Sequence, residues 1–238
     1  GSVDPDGDAW ATFLEGQPGF MTSPTPTALD LAALPGFGDP AATGMQDGNP
    51  VGLLGIEMHT RRRNRMNGFV TRTGAGLHID VDQSFGNCPR YIQHRQFSFV
   101  RDPATRQSCE VIVSDRLDAH QRGIIEAADT FFVASYVDLE GEGRQVDVSH
   151  RGGRRGFVRV DADGGLTVPD FNGNLFFNTL GNFAVNPRAG LLFVDHETGD
   201  MLQIAGSVEI ILNSPEIAAF EGAERLWRVM PEKVVLRK

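Results

Sequence analysis

The sequence predicts a mainly β fold with a few helices, arranged as two related small barrels. Three observations carry this prediction. The 238 residues include 28 Gly and 13 Pro, and such a composition favours tight turns and short strands over long helices. Short runs of alternating or β-branched residues are separated by Gly/Asp turns such as residues 161–165 (DADGG). The third observation is an internal repeat.

The repeat aligns residues 52–68 (GLLGIEMHTRRRNRMNG) with residues 190–206 (GLLFVDHETGDMLQIAG). Upstream, residues 16–20 (GQPGF) align with residues 153–157 (GRRGF), and the Asn-Pro pair at 49–50 answers the pair at 186–187 with a one-residue slip. Because these matches occur in the same order along the chain, they indicate duplication of one unit.

The repeat sets the predicted domain boundaries. The strand predicted at 130–137 has its counterpart at residues 1–3, so we expect the first copy to lack residues at its N-terminal end. Residues 1–100 form the first repeat, residues 101–129 a linker with a helix at 118–129, and residues 130–238 the second repeat.

Within the second repeat each element has its own signal. Strands are predicted at 130–137, 145–150, 156–160, 166–168, 190–195 and 201–211. Pro169 closes the predicted strand at 166–168. Apolar residues at helical spacing predict a helix over 172–185, which the Asn-Pro pair at 186–187 ends. Strands this short avoid exposed edges by closing into a small barrel, and two such barrels would pack as an intramolecular pseudo-dimer.

Charge and cysteine content exclude several classes of protein. The formal net charge is −9, which argues against nucleic-acid binding. No apolar run reaches the length of a membrane helix, so no membrane partner is expected. Cys88 and Cys109 are far apart and form no CxxC pair, so neither a disulfide scaffold nor a metal site is predicted and a cytoplasmic location is the expectation.

The richest polar cluster joins residues 149–153 (SHRGG) to residues 169–174 (PDFNGN). The first group ends one predicted strand, and the second leads from another strand into the predicted helix. Free N–H groups at a helix start can hold a phosphate, with Arg151 supplying positive charge. An Asx turn and helix cap would use the same residues without any ligand.

Longer motifs surround this cluster. Residues 149–160 (SHRGGRRGFVRV) and 166–195 follow an RGGxxGF…PDFxGNxxxNTLGN pattern. They resemble the pyridoxamine 5′-phosphate oxidase-related family of FMN-binding split barrels, the flavin-nucleotide-binding proteins. The resemblance extends into the first repeat through residues 60–68 and 84–93. It implies tandem FMN-binding split β-barrels, with FMN in a groove between them.

The resemblance also implies binding residues in the second repeat. Phosphate or ribityl contacts fall to Arg151, Asn172, Asn174, Asn178 and Thr179. Residues that would flank the ring or the ribityl chain are His150, Phe157, Pro169 and Asp170. The oxidases hold phosphate with an Arg-Lys pair near the helix start. Here Leu175 and Phe176 stand nearby, so the positive charge must come from elsewhere.

The first repeat offers that charge. On a strand, Arg61, Arg63 and Arg65 would share one face, and the family pattern places Arg63 and Arg65 beside the flavin. A solvated arginine ladder is the alternative. In residues 87–91 (NCPRY), Asn87 is expected to cap a helix start while Arg90 and Tyr91 face the groove. A plain cap is the alternative there.

Residues 32–48 of the first repeat contain neither an Asn cluster nor an arginine. The cofactor loop is therefore degenerate in this copy, and we expect one FMN per chain, or two in a further homodimer. The resemblance implies an FMN-dependent oxidoreductase acting on an unidentified small molecule, with catalytic residues unassigned. The C-terminal Arg-x-His of true pyridoxamine phosphate oxidases is not matched in residues 225–238. The alternatives are a noncatalytic flavin-binding, sensory or electron-transfer module and, more weakly, haem or deazaflavin binding.

Overall fold

A computed structural model describes residues 1–86, 88–105, 108–173 and 176–238. The described residues form mainly β structure with two α-helices and two short 3₁₀ helices. The first part contains β1 (Ser2–Val3), β2 (Ala9–Trp10), β3 (Met21–Thr25), β4 (Ala28–Leu31), a 3₁₀ helix (Pro40–Thr43), β5 (Pro50–Glu57), β6 (Arg62–Arg72) and β7 (Leu77–Gly86). The middle contains β8 (Val111–Ser114) and α1 (Ala119–Ala127). The last part contains β9 (Thr130–Leu139), β10 (Gly143–Gly152), β11 (Arg159–Val160), β12 (Leu166–Phe171), α2 (Asn178–Val185), β13 (Arg188–Val194), β14 (Met201–Ile211), a 3₁₀ helix (Pro215–Ala219) and β15 (Ala223–Arg237).

Three antiparallel sheets organise these strands. The largest has the order β10-β9-β13-β14-β15-β12-β11, with β8 added beside β15. A second sheet has the order β3-β4-β7-β6-β5, and β1 pairs with β2. The small sheet continues the second one, because the Gly52 N–H donates to the Gly1 carbonyl at 3.0 Å and the Gly1 amino group donates to the Gly52 carbonyl at 2.7 Å.

The two halves of the chain share one strand order. Read through the Gly1 to Gly52 pairing, the first half runs β2-β1-β5-β6-β7-β4-β3, which matches the order of the second half element by element. The strand register shifts at Gly68 on β6 and at Gly206 on β14. A Cβ on either glycine would lie 2.1 Å from a carbonyl oxygen of the next strand, so only glycine permits the close approach at both places.

The halves also contact each other reciprocally. A Cβ on Gly52 would lie 2.8 Å from Asp147 Cα on β10, and a Cβ on Gly190 would lie 2.7 Å from Trp10 Cα on β2. Strand β5 therefore packs on β10 in the way that β13 packs on β2. A buried apolar cluster that includes Ala9 and Phe132 draws residues from both halves.

The sheets differ from the predicted closed barrels. Among the described residues no sheet closes on itself. In the largest sheet, β10 and β11 remain the end strands. Strand β5 packs closely on β10 at Val146 and Asp147, where the two halves meet. Pro169 does not end its strand: it pairs with Leu226 of β15, while β11 pairs only with Thr167 and Leu166. Pro169 thus lies where β12 needs no N–H on its other edge.

The helices differ in their starts. Helix α2 begins at Asn178 instead of residue 172, because Phe177 has a left-handed φ of 51° that cannot continue a helix backwards. Residues 88–105 contain no helix, so the helix expected after residue 87 is wrong within the described residues. Helix α1 lies inside the predicted linker and starts with a capping box between Asp118 and Gln121. None of the described helices is long and apolar enough to cross a membrane.

Candidate functional site

A groove lies between the two halves. Its walls come from β6, the segment after β7, β10, β12, the start of α2 and β15. The lining residues are Arg63, Arg65, Cys88, Arg90, Tyr91, Ser149, His150, Arg151, Gly152, Phe157, Pro169, Asp170, Phe171, Gly173, Phe177, Asn178, Thr179, Leu180 and Glu224.

Strand β6 of the first half supplies two arginines. Arg63 and Arg65 point to one face because side chains two apart on a strand share a side. Arg65 pairs with Asp147 of β10, and both side chains are buried. Arg63 Nη1 lies 3.3 Å from His150 Nδ1. Arg61 does not join them, because it lies in the turn before β6 with a φ of 58° and is exposed. The predicted three-arginine face is therefore a two-arginine face.

The protonation state of His150 follows from its surroundings. Burial, then the charges of Arg63 and Arg151, lower the pKa of His150 to about 3. The ring is neutral near pH 7 as a result. A guanidinium only donates, so Nδ1 accepts from Arg63 and the ring proton resides on Nε2. This buried Nε2–H has no partner among the described residues.

Three arginine N–H donors in the groove are also buried without a hydrogen-bond partner that the structure describes. The Nε atoms of Arg63, Arg65 and Arg151 are buried without a partner in the described part of the chain. Burial, then Arg151 and Arg63, lower the pKa of Arg65 to about 10, and burial also lowers the pKa of Arg63 and of Arg151. The groove thus disfavours its own positive charges, and a bound anion would relieve both their desolvation and their repulsion. This donor set fits the phosphate and the carbonyl-rich ring edge of a flavin nucleotide.

One buried carboxylate balances part of this charge. Asp170 on β12 accepts from Arg151 Nη1 at 3.1 Å. Burial raises the pKa of Asp170 even though Arg151 and Arg225 act to lower it. The Asp170 side chain is 7% exposed, so it lies at the floor of the groove and orients Arg151.

The start of α2 faces the groove. Phe177 precedes the helix and makes no side-chain cap. The first N–H groups of α2 therefore have no cap from that residue and can bind an anion. The Thr179 hydroxyl donates to Ser149 Oγ at 2.9 Å and ties the first turn to β10.

The residue expected to begin the helix has a different position. Asn172 is exposed, accepts from Arg90 Nη1 at 3.0 Å and donates to Glu224 Oε1 at 2.8 Å. Its carbonyl accepts from the Tyr91 hydroxyl at 2.8 Å. Asn172 therefore links three parts of the groove rim and does not line the groove.

Gly152 of the RGG motif allows the segment that contains Tyr91 to lie close against β10. A Cβ on Gly152 would lie 2.1 Å from the Tyr91 carbonyl oxygen, so glycine is required where this segment crosses β10. Tyr91 then stacks on Phe171 with ring centroids 5.6 Å apart. Tyr91 itself has a φ of 64°, a left-handed conformation that is costly for an aromatic residue.

Most of the predicted site residues converge on this groove. Those that line it are Arg63, Arg65, Arg90, His150, Arg151, Phe157, Pro169, Asp170, Asn178 and Thr179. Phe157 forms a buried wall and stacks on Phe131 at 5.7 Å. Asn172 lies at the rim, and Asn87 and Asn174 lie outside the described residues.

Sequence reasoning missed Asp147, Phe177, Glu224 and Arg225. Asp147 carried a signal, since it is an acidic residue inside an otherwise apolar alternating strand and such a residue needs a buried partner. Glu224 and Arg225 carried none, because strand pairing of β15 with β12 brings them to the site from about 50 residues away.

No protein-family model matches the sequence, and no curated protein matches it. Solved structures are similar over about half of the chain. A variant of HupZ from Group A Streptococcus has 16% identity and a TM-score of 0.39, covering 50% of this chain and 98% of its own. An FAD-binding protein from Mycobacterium smegmatis has 14% identity and a TM-score of 0.36, covering 51% and 98%.

A candidate pyridoxamine 5′-phosphate oxidase from Lactobacillus delbrueckii has 13% identity and a TM-score of 0.36, covering 52% of this chain and 91% of its own. The chain resembles pyridoxamine 5′-phosphate oxidase-family structures at low sequence identity.

Proposed function

We propose that the groove binds FMN, one per chain, and that the protein is a flavin-dependent oxidoreductase acting on a small molecule other than pyridoxamine phosphate. One observation carries the proposal. Four buried N–H donors, on Arg63, Arg65, His150 and Arg151, line a single groove without a partner among the described residues. Buried donors normally have partners, so such a group is typical of a ligand site.

The charge of the groove favours a phosphate-bearing ligand. Four arginines line it, at positions 63, 65, 90 and 151, against the carboxylates of Asp170 and Glu224. This local excess of positive charge lies in a chain of net charge −9. Arg151 and the start of α2 would hold the phosphate, and Arg63, Arg65 and His150 would contact the ring edge.

The site combines two copies of one unit in this proposal. The shared strand order, the bulge glycines at 68 and 206, and the reciprocal packing of Gly52 and Gly190 support a duplicated split barrel that forms a pseudo-dimer within one chain. Arg63, Arg65 and Arg90 then come from one copy, and His150 and Arg151 from the other.

When bound, the flavin would supply hydride or electron transfer. The chain's own residues bind it, orient it and exclude water. His150 is neutral at physiological pH and donates from Nε2, so it stabilises negative charge without transferring a proton. No lining residue needs to act as an acid or base, because hydride transfer to flavin depends mainly on geometry.

An absorption spectrum of the purified protein, with mass identification of the released ligand, tests the proposal. We expect a flavin spectrum, the mass of FMN, reduction by NAD(P)H and reoxidation by oxygen. FMN that is inert to both reagents would instead favour a noncatalytic flavin-binding or electron-transfer module. A haem spectrum or a deazaflavin mass would contradict the assignment of the ligand.

A further inference from the structure

We propose that Arg225 is a positioning residue that holds Arg151 and the first turn of α2 in place for the ligand phosphate. The inference rests on the proposed FMN function. Arg225 lies near the start of β15 and does not line the groove. Its side chain is 17% exposed, so it is largely enclosed behind the groove wall.

The first contact is an ion pair through Asp170. Arg225 Nε lies 3.7 Å from Asp170 Oδ2, while Asp170 Oδ1 accepts from Arg151 Nη1 at 3.1 Å. Each oxygen of one buried carboxylate therefore faces a different guanidinium. Antiparallel pairing places Asp170 opposite Arg225, which fixes this arrangement through the backbone.

The second contact is with the residue before α2. The Arg225 guanidinium lies over the Phe177 ring, 4.7 Å from its centroid. Phe177 has a φ of 51° and makes no side-chain cap. A left-handed aromatic residue needs support from its surroundings, and the cation–π contact provides it. Arg225 thus contacts a neighbour of each group that we assign to the phosphate: Asp170, which pairs with Arg151, and Phe177, which precedes α2.

The charges around Asp170 predict a pH effect. Arg151 on β10 and Arg225 on β15 lower the pKa of this carboxyl, whereas burial and Glu224 on β15 raise it. Without Arg225 the pKa of Asp170 rises further. Asp170 then becomes protonated at a higher pH, and a neutral carboxyl holds Arg151 less firmly. FMN affinity in such a variant should fall earlier on acidification than in the natural chain.

The test compares FMN with riboflavin, which lacks the phosphate. We expect Arg225→Met to weaken FMN binding about tenfold or more and riboflavin binding about twofold or less. Arg225→Lys keeps a cation near Asp170 but loses the planar contact with Phe177, so it should recover part of the loss and restore the natural pH profile.

Arg144→Met is the matched control. Arg144 also pairs with a carboxylate, Asp138, and lies 4.6 Å from a ring centroid, that of Tyr136, but it does not line the groove. Its loss should leave both affinities unchanged. Urea unfolding of each variant monitors folding, and the lysine variant decides the question if Arg225→Met does not fold.

The outcomes separate this inference from the proposed function. Failure of the natural chain to bind FMN overturns both. If the natural chain binds FMN, equal losses of FMN and riboflavin in Arg225→Met, or no loss of either, overturn the positioning role alone. A pH profile of FMN affinity that is unchanged in Arg225→Met as well as in Arg225→Lys would also overturn the positioning role.

Discussion

The open groove beside α2 and the sealed cluster beside the first 3₁₀ helix both lie between the two halves, yet they satisfy their polar groups in different ways. In the first half a 3₁₀ helix (Pro40–Thr43) lies between β4 and β5, where α2 lies between β12 and β13 in the second half. Its N-cap Asp39 forms a sealed cluster with Thr12, Gln203 and Arg237. The Asp39 side chain is 0% exposed and that of Arg237 is 3% exposed.

The sealed cluster is complete within itself. Arg237 Nη2 lies 2.8 Å from Asp39 Oδ2, and Gln203 Nε2 donates to Asp39 Oδ1 at 3.0 Å. Gln203 Oε1 accepts from Arg237 Nε at 2.9 Å. The Ala41 N–H at the start of the 3₁₀ helix also donates to Asp39, at 3.0 Å. An internal carboxylate thus accepts from both the cation and the first helix N–H in this cluster, whereas Phe177 gives the start of α2 no side-chain cap.

The repeat alignment shows which substitutions accompany this difference. Gln203 aligns with Arg65, and Phe13 and Leu14 align with His150 and Arg151. The same strand order therefore supports either a binding groove or a sealed core, depending on a few side chains. Buried N–H donors without partners among the described residues distinguish the open groove, where we propose that a ligand binds.

Breaking the sealed cluster should have the largest effect. Arg237→Met leaves the Asp39 carboxylate buried without its cation, and we expect a loss of about 3–5 kcal/mol in the free energy of unfolding. Urea denaturation measures it. Arg63→Met is the control in the open groove: Arg63 has no carboxylate partner among the described residues, so its loss should cost less than about 1 kcal/mol. Similar losses in both variants would contradict the comparison.

Arg151→Ala should remove phosphate affinity from the open groove. A charge-assisted hydrogen bond contributes about 1.5–3 kcal/mol, so FMN binding should weaken roughly 10- to 100-fold. Fluorescence titration with FMN measures the change. Arg61→Ala, in the exposed turn, should stay within about twofold. Equal losses of FMN affinity in the two variants would contradict the assignment of the site.

The reciprocal glycines test whether the halves dock by the same contact. Gly190→Ala brings a Cβ within 2.3 Å of the Ala9 carbonyl oxygen, and Gly52→Ala brings one within 2.8 Å of the Val146 carbonyl oxygen. Each should cost about 1–3 kcal/mol of stability. Gly123→Ala in α1 meets nothing within 4 Å and should be neutral or slightly stabilising. A neutral result at Gly52 or Gly190 would argue against the docking contact.

His150→Phe makes the groove resemble the sealed half, which has Phe13 at the aligned position. The pKa of His150 is lowered to about 3 in the folded chain. The unfolded chain therefore binds the extra proton at acid pH, and stability falls as pH decreases below about 6.5. Between pH 6 and 4, urea denaturation should give a slope flatter in the variant by up to about 1.4 kcal/mol per pH unit. Parallel profiles would show that His150 is not buried and neutral.

The sequence predicted the elements that depend on local signals. The strand at 201–211 matches β14, and Arg151, Gly152 and Phe157 of the RGGxxGF motif line the groove. The prediction of a closed barrel was wrong because β10 and β11 remain the end strands of the large sheet, which strand lengths do not reveal. The start of α2 was wrong because a left-handed Phe177 interrupts an apolar spacing that continues through it.

Side chains that the sequence motifs grouped together lie together in the groove, whereas those brought there by strand pairing were not predicted. Alternation on β6 placed Arg63 and Arg65 together. Glu224 and Arg225 reach the site through pairing between distant strands, so no local pattern identifies them. Asp147 carried a signal as an acidic residue in an apolar alternating strand, but its partner Arg65 lies in the other half of the chain. Asn172 lies in a segment whose composition predicted a phosphate-binding loop, but its side chain hydrogen-bonds to Arg90 and Glu224 at the groove rim.

Calorimetric titration of the ligand-free protein with FMN, and in parallel with riboflavin, tests the central claim most directly. We propose that the open groove presents its unpartnered donors to a ligand, whereas the sealed cluster satisfies its charges internally. The account therefore predicts one FMN per chain, bound about tenfold or more tighter than riboflavin. Two FMN per chain, or equal affinity for FMN and riboflavin, would contradict it.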